Sequence, residues 1–183
     1  MNKEKISLKH ITYEPMSKKH NGLISNFCTY ESELKNFLVE DALNNQLEKI
    51  SMSYLFFYKE QLAGYITLLN DSLRLEGDLK NSFFNKNVLY KTLPAVKIGR
   101  LAVDDNFLRR GLGSIMIMLA YNFANSISKN YCGCRFLILD AKKNKDPKKN
   151  VIHFYKKLNF KILKERKKGS VLMYFDIKSN NKL

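Results

Sequence analysis

VKIGRLAVDDNFLRRGLGS, residues Val96 to Ser114, decides how the rest of the chain is to be read. Apolar and β-branched residues alternate with Lys97 and Gly99, and a basic, glycine-bounded turn then runs straight into an apolar helical pattern. The stretch predicts a strand, a turn and the start of a helix. The first N–H groups of a helix have no intrahelical partner, and that end of the helix carries a partial positive charge. Gly111 and Gly113 remove side chains that would keep a phosphate from those donors, while Arg109 and Arg110 add full charges beside them. The expected ligand is a pyrophosphate.

Three phosphate turns compete for this pattern. A Walker loop places Lys directly before Ser or Thr, whereas Ser114 follows Gly113. A dinucleotide fingerprint has three glycines in a first βαβ unit, whereas this turn has two and lies past mid-chain. The third pattern, Gln/Arg-x-x-Gly-x-Gly/Ala after a strand, is the coenzyme A turn of the GNAT acetyltransferases, and Arg110-Gly111-Leu112-Gly113 resembles it. Leu108 stands where that family usually has Gln or Arg, and Arg109 is the neighbouring cation that can replace it. Taken alone, Gly111-Leu112-Gly113 would read as an ordinary loop.

Downstream of the turn, Ile115, Met116, Leu119, Ala120, Phe123 and Ile127 recur at helical spacing. Phe136 to Asp140 (FLILD) reads as a strand that is apolar on both faces. Lys148 to Leu158 predicts a helix with Val151, Phe154, Tyr155 and Leu158 on one side. Phe160 to Leu163 and Val171 to Asp176 are two further strands, paired around the basic link KERKKG. Upstream, Asn70 to Pro94 predicts an irregular inserted loop or lid. Met52 to Tyr58 and Leu62 to Leu69 form a hairpin through Lys59-Glu60-Gln61. Leu23 to Leu47 holds one or two helices, and Ile6 to Tyr13 is a strand ended by Pro15. With no repeat and no linker, residues 1–183 read as one α/β domain.

Composition sets the outer limits. A chain of 183 residues with 45% hydrophobic residues can bury one real core. No apolar run is long enough to span a bilayer and MNKEKISLKH lacks an apolar signal core, so the expectation is a soluble, cytoplasmic protein without a membrane partner. Cys28, Cys132 and Cys134 are too few for a stapled scaffold. Cys132-Gly133-Cys134 lacks further ligands at zinc-like spacing, so no metal is expected. The net charge of +15 fits either a nucleic acid partner or a merely solvated basic surface. Two lysine clusters, Lys142 to Lys149 and Lys161 to Lys168, lie close in sequence to the predicted site. Of the 32 basic residues 26 are lysine, a bias that base composition of the gene alone can produce.

A second motif strengthens the resemblance. NVIHFYKKLNF, Asn150 to Phe160, is similar to the GNAT segment Ala-x-x-Phe-Tyr-x-x-x-Gly-Phe, with Val151 for Ala and Asn159 for Gly. Asn tolerates the left-handed backbone that Gly supplies at a helix end. EPMSKKH at Glu14 to His20, NFCTYESELKNFLVEDAL at Asn26 to Leu43, LAGYITL at Leu62 to Leu68, KIGRLAVD at Lys97 to Asp104 and LDA at Leu139 to Ala141 together resemble the toxin-type branch of that family. The resemblance implies a single domain with a mixed, mostly antiparallel, twisted sheet of about six or seven strands, flanked by helices and splayed at the central strand. It implies acetyl-CoA as cosubstrate, an acetyl transfer to a primary amine, and charged tRNA as acceptor. It also implies a ribbon-helix-helix antitoxin as partner and a homodimer.

The same resemblance assigns roles. Backbone groups of Leu101, Ala102 and Val103 hold the pantetheine and thioester. Arg109, Arg110, Gly111, Leu112, Gly113 and Ser114 hold the diphosphate, and Tyr155 stands at the general-acid position. A tyrosine packed on the apolar helix face is the alternative for Tyr155. Val96 to Val103 carries no acid, which leaves Asp104, Asp105 and Asp140 as base candidates or simple turn caps. A lysine-type amine is only about 0.04% neutral at pH 7, whereas an α-amine is roughly 10 to 17% neutral. A site without a strong base therefore suits an α-amine better, the alternatives being a small-molecule amine or a protein N-terminus as acceptor, or a GNAT-like module that binds coenzyme A or nucleic acid without turnover.

Overall fold

The computed structural model describes residues 5–144, 151–165 and 169–179. Its strands are β1 (Ile11–Pro15), β2 (Met52–Tyr58), β3 (Gln61–Arg74), β4 (Thr92–Val103), β5 (Phe136–Lys142), β6 (Lys161–Glu165) and β7 (Ser170–Asp176). Its helices are α1 (Asn21–Ile24), α2 (Ser32–Asn36), α3 (Ala42–Leu47), α4 (Gly77–Phe84), α5 (Leu112–Asn130) and α6 (Ile152–Lys157), with a π-turn at Phe37–Asp41 between α2 and α3. The strands form a seven-stranded sheet in the order β1-β2-β3-β4-β5-β7-β6. Residues 145–150 and 166–168 lie outside the described residues, and with them parts of both lysine clusters and the first turn of the helix expected from Lys148. Contacts group the chain into two compact units, Met1–Leu69 with Ile98–Leu119, and Asn70–Lys97 with Ala120–Leu183.

In the first unit β1, β2 and β3 are antiparallel neighbours, Ile11 opposite Tyr58 and Tyr58 opposite Gln61. The β2–β3 loop is only Lys59-Glu60, and both residues take positive φ (49° and 68°). Such loops match the twist of the strands they join, which is why the hairpin closes without the usual Asn-Gly pair. The strand expected over Ile6 to Tyr13 is shorter: Leu8–His10 is a 3-10 turn, and β1 runs on through Pro15. At the start of that segment the Ile6 amide donates to the carbonyl of Arg110. The π-turn and α3 lay Leu38 and Ala42 on Leu55, Phe57, Tyr65 and Ala102 of the sheet. The buried Tyr65 hydroxyl donates to the Leu34 carbonyl at 2.7 Å, just where the helix widens into its π-turn.

In the second unit β7 lies between β5 and β6 and is antiparallel to both, with Leu139 opposite Met173 and Ile162 opposite Met173. Phe136, Leu137, Ile138 and Leu139 are all buried, as a strand apolar on both faces requires. The irregular insert expected over Asn70 to Pro94 is instead mostly regular. β3 continues to Arg74, α4 follows, and β4 begins at Thr92. Leu73, Leu75 and Phe83 join the core around Phe136 and Ile138, and that burial orders a segment whose composition reads as loop. Gly77 opens α4 with φ +52°.

Candidate active site

β4 runs into a bracket made by the two acids that follow it, Asp104 and Asp105. Asp104, 4% exposed, accepts hydrogen bonds from the amide of Asn106 (3.0 Å), from Asn106 Nδ2 (2.9 Å) and from the amide of Cys28 (2.8 Å). Its own amide donates to the carbonyl of Ala63 at 2.9 Å. Asp105 ties down the same loop, its amide donating to the Cys28 carbonyl and its carboxylate accepting from the Tyr30 amide. Asp140 forms an ion pair with Lys97 at 2.9 Å. All three acids left open as base candidates are therefore engaged structurally.

After the 3-10 turn Asp105–Phe107 the backbone twists sharply, with Arg109 at φ +61° and Gly111 at φ +91°. Nothing lies within 4 Å of where a Gly111 Cβ would stand, so glycine is required there for its backbone angle and keeps the space above it clear. The Gly111 carbonyl accepts from Ser114 (3.1 Å) and Ile115 (3.4 Å). The amides of Gly111, Leu112 and Gly113 have no acceptor among the described residues. The first turn of α5 contains no acid, and Arg109 is exposed beside it. The turn thus offers three unpaired donors, a helix end and a guanidinium, the equipment for a diphosphate. Ser114 keeps only its hydroxyl for that purpose.

The β4 segment Leu101, Ala102 and Val103 lies directly before this bracket, with Ala102 buried. Gly64 on β3 presses against it: a Cβ there would stand 2.8 Å from the Ala102 carbonyl and 3.3 Å from side-chain atoms of Leu112 and Met116. Arg100 donates to the Gly99 carbonyl at 2.9 Å, lies 5.0 Å over the ring of Phe37, and reaches 3.7 Å from Glu33. Sequence reasoning missed Gly64, Phe37 and Glu33 because these contacts join segments remote in the chain. The glycine inside a strand pattern at Gly64 was the one usable signal.

Tyr155 belongs to the second unit. It sits on α6, 8% exposed, with its ring 5.0 Å from Phe154 and 5.8 Å from Phe160. Phe154 is the less buried of the adjacent pair. Asn159 has φ +60°, the left-handed helix end for which Asn substitutes well for Gly, and the Phe160 amide returns to the Tyr155 carbonyl at 3.1 Å. Among the described residues no group of three or more His, Cys, Asp or Glu side chains is placed to hold a metal, and no helix is long and apolar enough to cross a membrane.

The family model described as acetyltransferase (GNAT) family matches residues 23–160. Among solved structures, AtaT complexed with acetyl-methionyl-tRNAfMet is 24% identical with a TM-score of 0.75, covering 92% of this chain and 95% of that one. A Tyr-to-Phe mutant of KacT is 23% identical with a TM-score of 0.77, covering 92% and 96%. AtaTR bound with AcCoA is 25% identical with a TM-score of 0.73, covering 93% and 96%. No curated protein matches the sequence.

Proposed function

From the premise that the chain belongs to the acetyltransferase (GNAT) family, we propose that it transfers the acetyl group of acetyl-CoA to the α-amine of an aminoacyl-tRNA in the cytoplasm. The observation that carries the coenzyme half is the open donor turn at Gly111 to Gly113 with Arg109 beside it. Arg109, Arg110, Gly111, Leu112, Gly113 and Ser114 hold the diphosphate, and the backbone of Leu101, Ala102 and Val103 holds the pantetheine arm. Acetyl-CoA, when bound, supplies a thioester carbonyl that a neutral amine attacks directly. As the C–S bond breaks, the Tyr155 phenol gives its proton to the departing sulfur, a contribution of about 10² to 10⁴ in rate; the proton that the acylated nitrogen sheds goes to solvent, which reprotonates the phenolate.

Three observations support the acceptor half. The protein carries a net charge of +15, which attracts polyanions. Asp104, Asp105 and Asp140 are occupied in structural bonds, so an amine that is partly neutral on its own suits the site. AtaT has been captured with acetyl-methionyl-tRNAfMet and with its antitoxin AtaR. From the resemblance of the sequence to the toxin-type branch we also propose a ribbon-helix-helix antitoxin as partner and a homodimer as the working form.

The test is incubation with labelled acetyl-CoA and a total pool of charged tRNA. Label is expected on the α-amine of the aminoacyl group, and Tyr155→Phe should lose most of the rate while keeping acetyl-CoA affinity. Label confined to small amines or protein N-termini, with charged tRNA untouched, would remove the tRNA reading and leave the acetyltransferase.

A further inference from the structure

Arg110 is held at both of its ends, and neither hold is visible in the motif that contains it. Its carbonyl accepts the Ile6 amide at 3.0 Å. Its guanidinium carbon lies 5.3 Å above the ring of Tyr58 and 5.7 Å above that of Phe107, and the two rings meet edge to face with centroids 6.0 Å apart. Tyr58 is itself firmly placed. It is the last residue of β2, paired with Ile11 and Gln61, and the His10 ring stands edge-on to it at 6.2 Å. Guanidinium groups are weakly hydrated and stack on aromatic faces, so this pocket suits arginine and would not suit lysine equally.

The consequence falls on the neighbouring residues. Arg109 occupies a left-handed conformation that a non-glycine residue keeps only where its surroundings over-determine it. Anchoring Arg110 from the side chain and from the carbonyl supplies that determination, and it leaves Arg109 as the exposed cation of the pair. We propose that Tyr58, with Phe107, is a positioning residue: it grips Arg110 and thereby presents Arg109 and the amides of Gly111 to Gly113 to the coenzyme A diphosphate. The proposal rests on the reading of that turn as the diphosphate cradle. It also divides the two side chains by role: that of Arg110 anchors the turn that holds the diphosphate, and that of Arg109 touches phosphate.

The test is calorimetric binding of coenzyme A and of S-acetylpantetheine, which lacks the diphosphate, to the full chain. Tyr58→Leu should weaken coenzyme A binding about 3- to 10-fold. It should leave S-acetylpantetheine binding and kcat at saturating acetyl-CoA as they are, and Tyr58→Phe should restore the affinity because the ring remains. Arg110→Met should weaken coenzyme A by at least a similar factor, and Tyr58→Leu should add little in that background because Tyr58 acts on the turn through its contact with Arg110. Thermal melts confirm that each variant is folded, and Arg110→Met with Tyr58→Phe carries the test if Tyr58→Leu does not fold. Gly111→Val separates the two readings. If it weakens coenzyme A while Tyr58→Leu does not, or if the Tyr58 and Arg110 effects add in full, the positioning role is overturned. If Gly111→Val also leaves coenzyme A binding unchanged, the cradle itself has failed and this proposal falls with it.

Discussion

The buried carboxylate of Asp104 accepts the amide hydrogen of Cys28 at 2.8 Å, joining segments 76 residues apart in the chain. That bond, with two more from Asn106, makes Asp104 a fastener for the end of β4. Asp104→Ala should cost about 2 to 4 kcal/mol of stability, since it strands donors that served a charged acceptor, and Asp104→Asn about half as much. Urea denaturation reads the cost. The rate per folded molecule of Asp104→Asn should stay within a few-fold of wild type, and a collapse of kcat in a fully folded variant would make Asp104 the missing base.

Gly64 and Gly111 are glycines for different reasons and should fail differently. Gly64→Ala brings a methyl group against backbone at Ala102, an overpacking that costs about 1 to 3 kcal/mol. Its melting temperature should fall visibly. Gly111→Ala meets open space, so its penalty is conformational, about 1 to 2 kcal/mol for a left-handed backbone. Its clearer effect should be weaker coenzyme A binding, measured by calorimetry.

Arg109→Ala removes the exposed cation beside the donor turn. Acetyl-CoA affinity should drop by about 10-fold at low salt, the value of one good charge-assisted contact. The gap between variant and wild type should narrow as salt rises, because the lost contact is exposed and screened. A salt-independent gap would mean that the substitution altered the turn's shape instead.

Glu14 accepts from Lys19 Nζ at 2.5 Å and from His20 Nε2 at 3.2 Å, and these two hydrogen bonds, Lys19 first, hold its carboxyl below the usual range. A carboxyl whose folded pKa is depressed adds stability above its unfolded value, and that stability is lost as the pH falls through the folded one. Glu14→Gln should therefore melt lower than wild type at neutral pH, with the difference fading below about pH 4.5. Melting curves between pH 3 and pH 7, on the order of one carboxylate titration, read the effect. A difference that persists unchanged in acid would locate the loss in packing.

Several elements were legible in the residues because their cause is local. The β4–turn–α5 unit follows from alternation, glycine spacing and helical periodicity within nineteen residues, and it stands as read. Asn159 takes the left-handed backbone expected where the family pattern has Gly. The β2–β3 hairpin was found without its two-residue loop, since neither Lys59 nor Glu60 announces a positive φ. Asn70 to Pro94 was misread as irregular. Its polar residues dominate composition, whereas Leu73, Leu75 and Phe83 dominate its energetics once Phe136 is there to receive them.

Sequence alone determined the family, the donor turn and the residue types that could serve it, because backbone freedom at glycine, helix-end donors and side-chain charge are properties of short stretches. Only the tertiary structure decided which acids were already spent, that Ser114 turns its amide to Gly111, and that Arg110 is clasped by Tyr58 and Phe107. Those outcomes depend on which distant segments share a face, and hydrogen bonds and ring contacts across dozens of residues leave no periodic trace in the chain that makes them.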